Sequence, residues 1–164
     1  MKQESGRSAI LYPHGILFRD QESEMREKII KSDLIECVIG LGPNLFYNSP
    51  MRSCIVICRK NKPASRKGKI LFIDAQALIR EERNISYLDF EHREPISNAY
   101  LNWVDKKGFS RIVDIQSIKR NQYRLSVALY VEKPEPSKTF QVKFGKLIAL
   151  WNREIVFHFD FYLD

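Results

Sequence analysis

Short apolar runs that stop at turns rich in Pro, Gly and Asn dominate the first half of the chain. These runs are residues 9–12, 35–41, 53–58 and 69–73. The first stops at Pro13 and the second at Gly42-Pro43. Runs that are apolar throughout and rich in β-branched residues are typical of buried strands, and ligands often bind at the carboxyl ends of parallel strands. The pattern predicts an α/β protein with a site at the strand tips.

The polar positions between these runs predict how the strands connect. A helix is expected over residues 21–32, with Asp20 as N-cap and Met25 and Ile29 on one face. Strand–helix–strand order implies that the first two strands are parallel. Only the polar segment 60–68 joins the third and fourth strands, which predicts an antiparallel hairpin.

A different pattern begins after Asp74. Pro95 fits the first turn of a helix, because Ile96, Ala99 and Trp103 follow it at helical spacing. Gly108 is the expected stop signal for this helix. Residues 114–119 predict a short helical turn, and residues 125–131 an extended segment.

The chain therefore divides into three predicted parts. Residues 1–76 form a partial α/β domain and residues 77–131 a helical extension. Residues 132–164 combine a Pro-rich linker with an aromatic tail that suits a strand or a helix equally.

Charge and length narrow the class of protein. A chain of 164 residues is about one domain, and 44% hydrophobic residues favour a folded protein. The net charge of +7 makes an anionic partner plausible, nucleic acid first, although a basic protein can also be one whose charge only aids solubility.

The three cysteines lie inside apolar runs. Cys37, Cys54 and Cys58 are expected to be buried, reduced thiols, and their spacing argues against a zinc site. The sequence shows neither a signal peptide nor an apolar run long enough to span a bilayer. A cytoplasmic protein without membrane contact is the expectation.

Six cations stand within eleven residues and include no acid between them. They are Arg59, Lys60, Lys62, Arg66, Lys67 and Lys69. Such a segment suits contacts to DNA phosphates, with a strong dependence of binding on salt. The alternative is a solvated turn that protects a strand from aggregation. His14, between Pro13 and Gly15, is more simply a structural turn residue than a general base.

Seven segments in order carry a resemblance to a known family. They are residues 6–19 (GRSAILYPHGILFR), 24–34 (EMREKIIKSDL), 42–48 (GPNLFYN), 54–60 (CIVICRK), 68–75 (GKILFIDA), 108–114 (GFSRIVD) and 121–127 (NQYRLSV). Together they resemble the M subunits of type I restriction–modification systems, which are N6-adenine DNA methyltransferases. The resemblance covers about residues 6 to 131.

The resemblance implies a function and partners. It implies transfer of a methyl group from S-adenosylmethionine to adenine in DNA, in a complex with specificity and restriction subunits. It places Phe46 and Tyr47 where such enzymes bring an aromatic ring against a flipped base. The alternative is that these two rings anchor their loop on the core. Asn44 and Asn48 are expected to be turn residues.

Two motifs of that family are missing from this sequence. Members carry a glycine-rich loop for S-adenosylmethionine and an Asn-Pro-Pro-aromatic motif for the target adenine before this region, and neither occurs here. The chain is therefore expected to be the C-terminal half of a Rossmann-like methyltransferase sheet with a helical extension. It is expected to be inactive alone and not to bind the cofactor by itself.

This interpretation has a structural consequence and two rivals. Residues 9–12 should form an uncovered edge strand, which favours self-association. The first alternative is a non-catalytic module that docks on a specificity or M subunit. The second is a general nucleic-acid-binding domain that uses the basic segment and the aromatic tail.

Overall fold

A computed structural model describes residues 6–46, 49–83 and 85–132 of the chain. Its strands are β1 (Arg7–Pro13), β2 (Ile35–Leu41), β3 (Ser53–Arg59), β4 (Lys69–Ala75), β5 (Arg80–Glu82), β6 (Ile85–Tyr87) and β7 (Ser110–Asp114). Its helices are α1 (Ser23–Lys31), α2 (Phe90–Asn102) and α3 (Ile115–Arg120). The predicted Pro-rich break and aromatic tail lie beyond Glu132, outside the described residues.

The main sheet has five strands in the order β1-β3-β2-β4-β7. β3 is antiparallel to both β1 and β2, β4 is parallel to β2, and β7 is antiparallel to β4. β1, β2 and β4 therefore run in one direction, and β3 and β7 in the other. The fold is mixed α/β, as the sequence predicts, and β1 and β2 do share a direction, although β3 lies between them.

The predicted hairpin of the third and fourth strands is wrong. β3 and β4 both pair with β2, from opposite sides: Val38 lies opposite Val56 on β3 and opposite Phe72 on β4. All seven residues of β2 are buried. The most apolar strand takes the centre because only there are both of its faces and both of its hydrogen-bonding sides covered.

The sheet has a core on each face. Helices α1 and α3 cover one face, where Ile30, Phe72 and Ile118 are fully buried. Helix α2 covers the other face, and its Ala99 packs against a cluster that includes Leu71. Of the cysteines, Cys37 and Cys54 are buried as predicted, and Cys58 is half-buried.

β1 is an edge strand, as predicted, but it is not buried. It pairs on one side with β3, and Ile10 and Leu11 are exposed to solvent. The burial was expected because residues 9–12 are apolar, and an apolar run is typical of a buried strand. Its position at the edge instead leaves the backbone groups of one long side without a partner strand among the described residues.

Helix α2 begins earlier and ends earlier than the sequence predicts. It starts at Phe90, where the Asp89 backbone N–H donates to Nδ1 of His92 at 3.2 Å, so Pro95 lies in the second turn. It ends at Asn102, and the residue that follows, Trp103, has a left-handed backbone with φ of 54°. Trp103 adopts this conformation while its ring packs in the second core, well before Gly108.

The residues after α2 return to the sheet. β7, which the sequence pattern did not predict, adds a strand beside β4. α3 confirms the predicted helical turn, and Asp114 caps it by accepting from the Ser117 backbone N–H at 2.9 Å. The predicted extended segment at 125–131 is wrong: Val127–Leu129 form a 3-10 turn whose Val127 is fully buried in the first core. Residues on both sides of position 76 thus share one sheet and its cores.

Candidate nucleic-acid interface

The carboxyl end of the sheet gathers turns from distant parts of the chain. β1, β2 and β4 finish there, and β3 and β7 begin there, because Pro13 lies opposite Ser53 and Leu41 opposite Ala75. At the opposite end, the amino end of the sheet, β3 finishes at Arg59 and β4 begins at Lys69. The sequence predicts the site at the carboxyl end.

The loop after β2 presents an aromatic ring at this end. Phe46 is 40% exposed, and its backbone carbonyl accepts from the Ser49 N–H at 3.0 Å. The Asn44 carbonyl accepts from the Ser86 N–H at 2.8 Å, which ties the loop to the β5–β6 hairpin. Phe46 therefore sits on a tethered loop with part of its ring open to solvent. Tyr47 and Asn48 lie outside the described residues.

The start of this loop requires glycine. A Cβ on Gly42 would lie 2.7 Å from the backbone oxygen of Gln76 and 3.0 Å from the Ile79 side chain. Backbone atoms cannot give way as a flexible side chain can. The turns after β2 and β4 therefore approach each other closely only because residue 42 is glycine and has no side chain.

His14 starts the turn after β1, as predicted, and its environment keeps it neutral. Its ring packs on Phe18 with centroids 5.7 Å apart, and its backbone N–H donates to the Arg52 carbonyl at 3.1 Å. Burial lowers the pKa of His14, the nearby Arg52 lowers it further, and Asp74 acts in the opposite sense. The packing of the ring on Phe18 and the backbone hydrogen bond to Arg52 agree with the structural role predicted for it.

Two of the six predicted phosphate contacts are turned inward by one carboxylate. Glu36 is fully buried, and its Oε1 accepts from Arg59 at 3.3 Å and from Arg66 at 3.2 Å. Its Oε2 accepts from the Tyr100 hydroxyl at 2.7 Å. The guanidinium of Arg66 also stacks 4.5 Å from the centroid of the Trp103 ring.

A β-bulge aims Glu36 at these partners. Ile35 lies opposite Cys58 and Cys37 opposite Ile57, so β2 carries one extra residue at Glu36. Burial raises the pKa of Glu36, but the hydrogen bonds from Tyr100, Arg59 and Arg66 outweigh it, and the pKa lies below its ordinary value. The sequence reasoning missed this residue, although an acid inside an apolar run was a visible signal.

A third predicted contact, Lys62, is buried as well. Its Nζ donates to Oδ1 of Asp33 at 2.6 Å and to the Lys69 carbonyl at 2.9 Å. The second oxygen of Asp33 accepts from the Gly68 backbone N–H at 3.0 Å, where φ of +67° suits glycine. Segment 60–68 is therefore held by internal ion pairs.

The remaining three candidates are exposed but far from Phe46. Lys60, Lys67 and Lys69 are exposed at the amino end of the sheet. β3 has seven residues, and a strand rises about 3.3 Å per residue, so its two ends are about 20 Å apart. The structure thus separates the predicted stacking loop from the predicted phosphate contacts.

Other kinds of site find no support in the described part of the chain. No helix there is long and apolar enough to cross a membrane. No group of three or more His, Cys, Asp or Glu side chains among those residues is arranged to hold a metal ion.

Comparison with known proteins identifies the family. The N-6 DNA Methylase family matches residues 1–139. The chain is 41% identical over 138 residues to the type I restriction enzyme MjaVII methylase subunit of Methanocaldococcus jannaschii, an alignment that covers 82% of this chain. This chain belongs to the N-6 DNA methylase family. Its relatives in the family include methylase subunits of type I restriction enzymes.

Solved structures agree with this membership. The methyltransferase subunit of a type I restriction–modification system from Streptococcus thermophilus superimposes with a TM-score of 0.74 at 32% identity, over 80% of this chain. The M protein of the type I restriction enzyme EcoKI shares the fold, with a TM-score of 0.60 at 11% identity. The chain spans only 24% of the MjaVII methylase subunit and 28% of the Streptococcus structure.

Proposed function

We propose that this chain supplies the base-contacting part of a type I adenine-specific DNA methyltransferase. The observation that carries the proposal is the position of Phe46, half-open to solvent on a tethered loop at the carboxyl end of the sheet. A partly exposed ring offers a face on which an extrahelical base stacks, a contact worth about 1–3 kcal/mol. DNA and the other subunits of a type I system are the proposed partners, as the relatives' names suggest.

We also propose that this chain neither binds S-adenosylmethionine nor transfers methyl groups by itself. The sequence contains neither the glycine-rich loop nor the Asn-Pro-Pro-aromatic motif of the family. The first would let backbone approach the cofactor, and the second would hydrogen-bond the amino nitrogen that is methylated. Without these groups, the carboxyl end supplies the base contact but not the cofactor contact.

Calorimetric titration with S-adenosylmethionine tests this division. We expect no saturable heat from the purified chain, with or without adenine-containing duplex DNA, because the cofactor-binding groups are missing. The parallel assay is transfer of a labelled methyl group to the same duplex. Saturable one-to-one binding would show that the chain builds its own cofactor pocket and would contradict the proposal.

Substitution of Phe46 tests the base contact. We expect Phe46→Ala to weaken binding of an adenine-containing single strand by about 1–3 kcal/mol, because the stacking face is lost. Fluorescence anisotropy with the same oligonucleotide measures this. The matched control is Phe90→Ala, since Phe90 is an aromatic side chain that is 69% exposed. Equal losses in both variants would mean that Phe46 has no special role.

The docking alternative has one structural observation in its favour. Among the described residues, β1 has a partner strand on one side only, and it exposes Ile10 and Leu11. Such an edge accepts another strand, either from a partner subunit or from a second copy of this chain. Self-association through β1 therefore remains a prediction, and light scattering at increasing protein concentration measures it.

A further inference from the structure

An open cleft at the turn after β1 contains two arginines that the sequence reasoning did not select. The cleft has a volume of about 550 Å³ and is lined by Phe18, Arg19, Asp20, Gln21 and Arg124. Arg19 and Arg124 are both exposed. No carboxylate of the described residues lies within 4 Å of either guanidinium.

A buried guanidinium holds the cleft together. Arg26 is 97% buried, and its Nη1 donates to the carbonyls of Ile16 at 3.0 Å and Arg19 at 2.6 Å. Its Nε donates to the Tyr123 carbonyl at 3.2 Å. Since all three acceptors are backbone carbonyls, Arg26 joins the segment that carries Arg19 to the segment that carries Arg124. The two arginines are thus placed by one common anchor.

The charges around the cleft favour an anion. Arg19, Arg26 and Arg124 are the cations, and Asp20 and Glu22 are the acids close enough to influence Arg26. These five side chains carry one net positive charge, and neither of the two exposed arginines, Arg19 and Arg124, forms an ion pair among the described residues. Planar guanidiniums bind phosphate oxygens in a bidentate manner, and the exposed ring of Phe18 adds an apolar wall.

The cleft lies at the same end of the sheet as Phe46. Phe18 packs on His14, and His14 bonds through its backbone to Arg52, which directly precedes β3. The exposed lysines of segment 60–68 lie at the other end of β3. The cleft and the Phe46 loop therefore share one end of the sheet, and Lys67 and Lys69 lie at the other.

We propose that Arg19 and Arg124 clamp a phosphodiester of the DNA strand in this cleft, next to the Phe46 loop. The inference rests on the proposed function, and it assigns the backbone contact to the carboxyl end of the sheet. It replaces a contact by segment 60–68, whose Arg59, Lys62 and Arg66 are occupied by Glu36 and Asp33.

Anisotropy titrations of a labelled duplex at several salt concentrations test the clamp. We expect the double variant Arg19→Gln/Arg124→Gln to bind at least about tenfold more weakly at low salt than the wild type. The negative slope of log K against log salt should become shallower by about 0.9, since the clamp neutralises one phosphodiester and each neutralised phosphate contributes about 0.9. Circular dichroism melting confirms that both proteins are folded.

The matched control removes the same charge at the other end of the sheet. Lys67→Gln/Lys69→Gln should weaken binding by less than about threefold, and Arg19→Lys/Arg124→Lys should keep most of the salt slope. Two results would overturn the clamp. One is an equal loss of duplex affinity in the two glutamine double variants, and the other is a larger loss in Lys67→Gln/Lys69→Gln than in Arg19→Gln/Arg124→Gln. Absence of salt-dependent duplex binding by the wild type would overturn it as well.

A titration with inorganic phosphate distinguishes a site for a DNA phosphodiester from a site for free phosphate. We expect millimolar phosphate to raise the melting temperature of the wild type no more than that of Arg19→Gln/Arg124→Gln. A selective rise in the wild type would identify a site for free phosphate and would contradict the DNA clamp. The Phe46→Ala experiment tests the base contact independently of the clamp, because a contact to a phosphate does not depend on which base is stacked.

Discussion

Replacing Glu36 with alanine is expected to destabilise the fold by about 3 kcal/mol, because two largely buried guanidiniums then lose their carboxylate. The side chains of Arg59 and Arg66 are 21% and 16% exposed, so water only partly compensates them. Tyr100 loses the acceptor of its hydroxyl in the same change. Urea unfolding followed by circular dichroism gives the free energy.

The control is another glutamate with an ion pair. Glu27 pairs with Lys31 one helical turn away on the exposed surface of α1, and Glu27→Gln is expected to leave the free energy of unfolding almost unchanged, because water screens an exposed pair. A loss at Glu36→Ala as small as this would mean that the buried network does not hold segment 60–68.

The same network has a pH signature with a defined sign. The pKa of Glu36 is lower in the folded protein than its ordinary value of 4.5, so its stabilisation is present above that value and is lost as pH falls through the lowered pKa. Glu36→Gln lacks this titration. The difference in unfolding free energy between wild type and Glu36→Gln should therefore narrow as the pH is lowered below 4.5. A constant difference would rule out a depressed pKa.

Replacing Phe72 with alanine is the second change with a large expected effect, about 3–5 kcal/mol of destabilisation. Phe72 is fully buried on the central part of the sheet, and its ring lies 4.4 Å from the centroid of Tyr130. The lost stability is the sum of the transfer free energy of the buried ring and the free-energy cost of the cavity that its removal leaves. Urea unfolding measures it at neutral pH.

Two further variants make this experiment specific. Phe72→Leu should cost less than Phe72→Ala, since leucine fills part of the cavity. Leu101→Ala removes an exposed apolar side chain from α2 and should change the stability by less than about 0.5 kcal/mol. A cost below about 1.5 kcal/mol for Phe72→Ala would show that residues 125–131 do not pack on β4 as described.

Local patterns predicted individual elements well where burial and local preference agree. The strand over 35–41, helix α1 and the short helix α3 are found as expected, but the predicted N-cap of α1 is wrong, because Glu22 and not Asp20 precedes the helix. β1 was mistaken for a buried strand because apolar composition does not distinguish an edge from a centre. α2 starts before Pro95 because the cap at Asp89 and His92 lies outside the apolar repeat that predicted the helix.

The candidate site was predictable only in part. The turn at residues 42–46 follows from the strand end and from Gly42-Pro43, whereas the resemblance placed Phe46 at the site and left open whether its ring packs on the core. The six cations looked equivalent in sequence, yet Glu36 and Asp33 bind three of them internally. Arg19 and Arg124 were not predicted as site residues, because they are far apart in the chain and no sequence pattern places them together.

The sequence by itself determined strands β1 to β4, helices α1 and α3 and the family that the chain resembles, because these depend on local patterns and ordered motifs. The tertiary structure decided the order of the strands, the burial of Lys62, the internal ion pairs of Arg59 and Arg66, and the distance between Phe46 and segment 60–68. These properties depend on which segment takes the centre of the sheet. That choice is made by the burial of β2 between two partners, which no local pattern encodes.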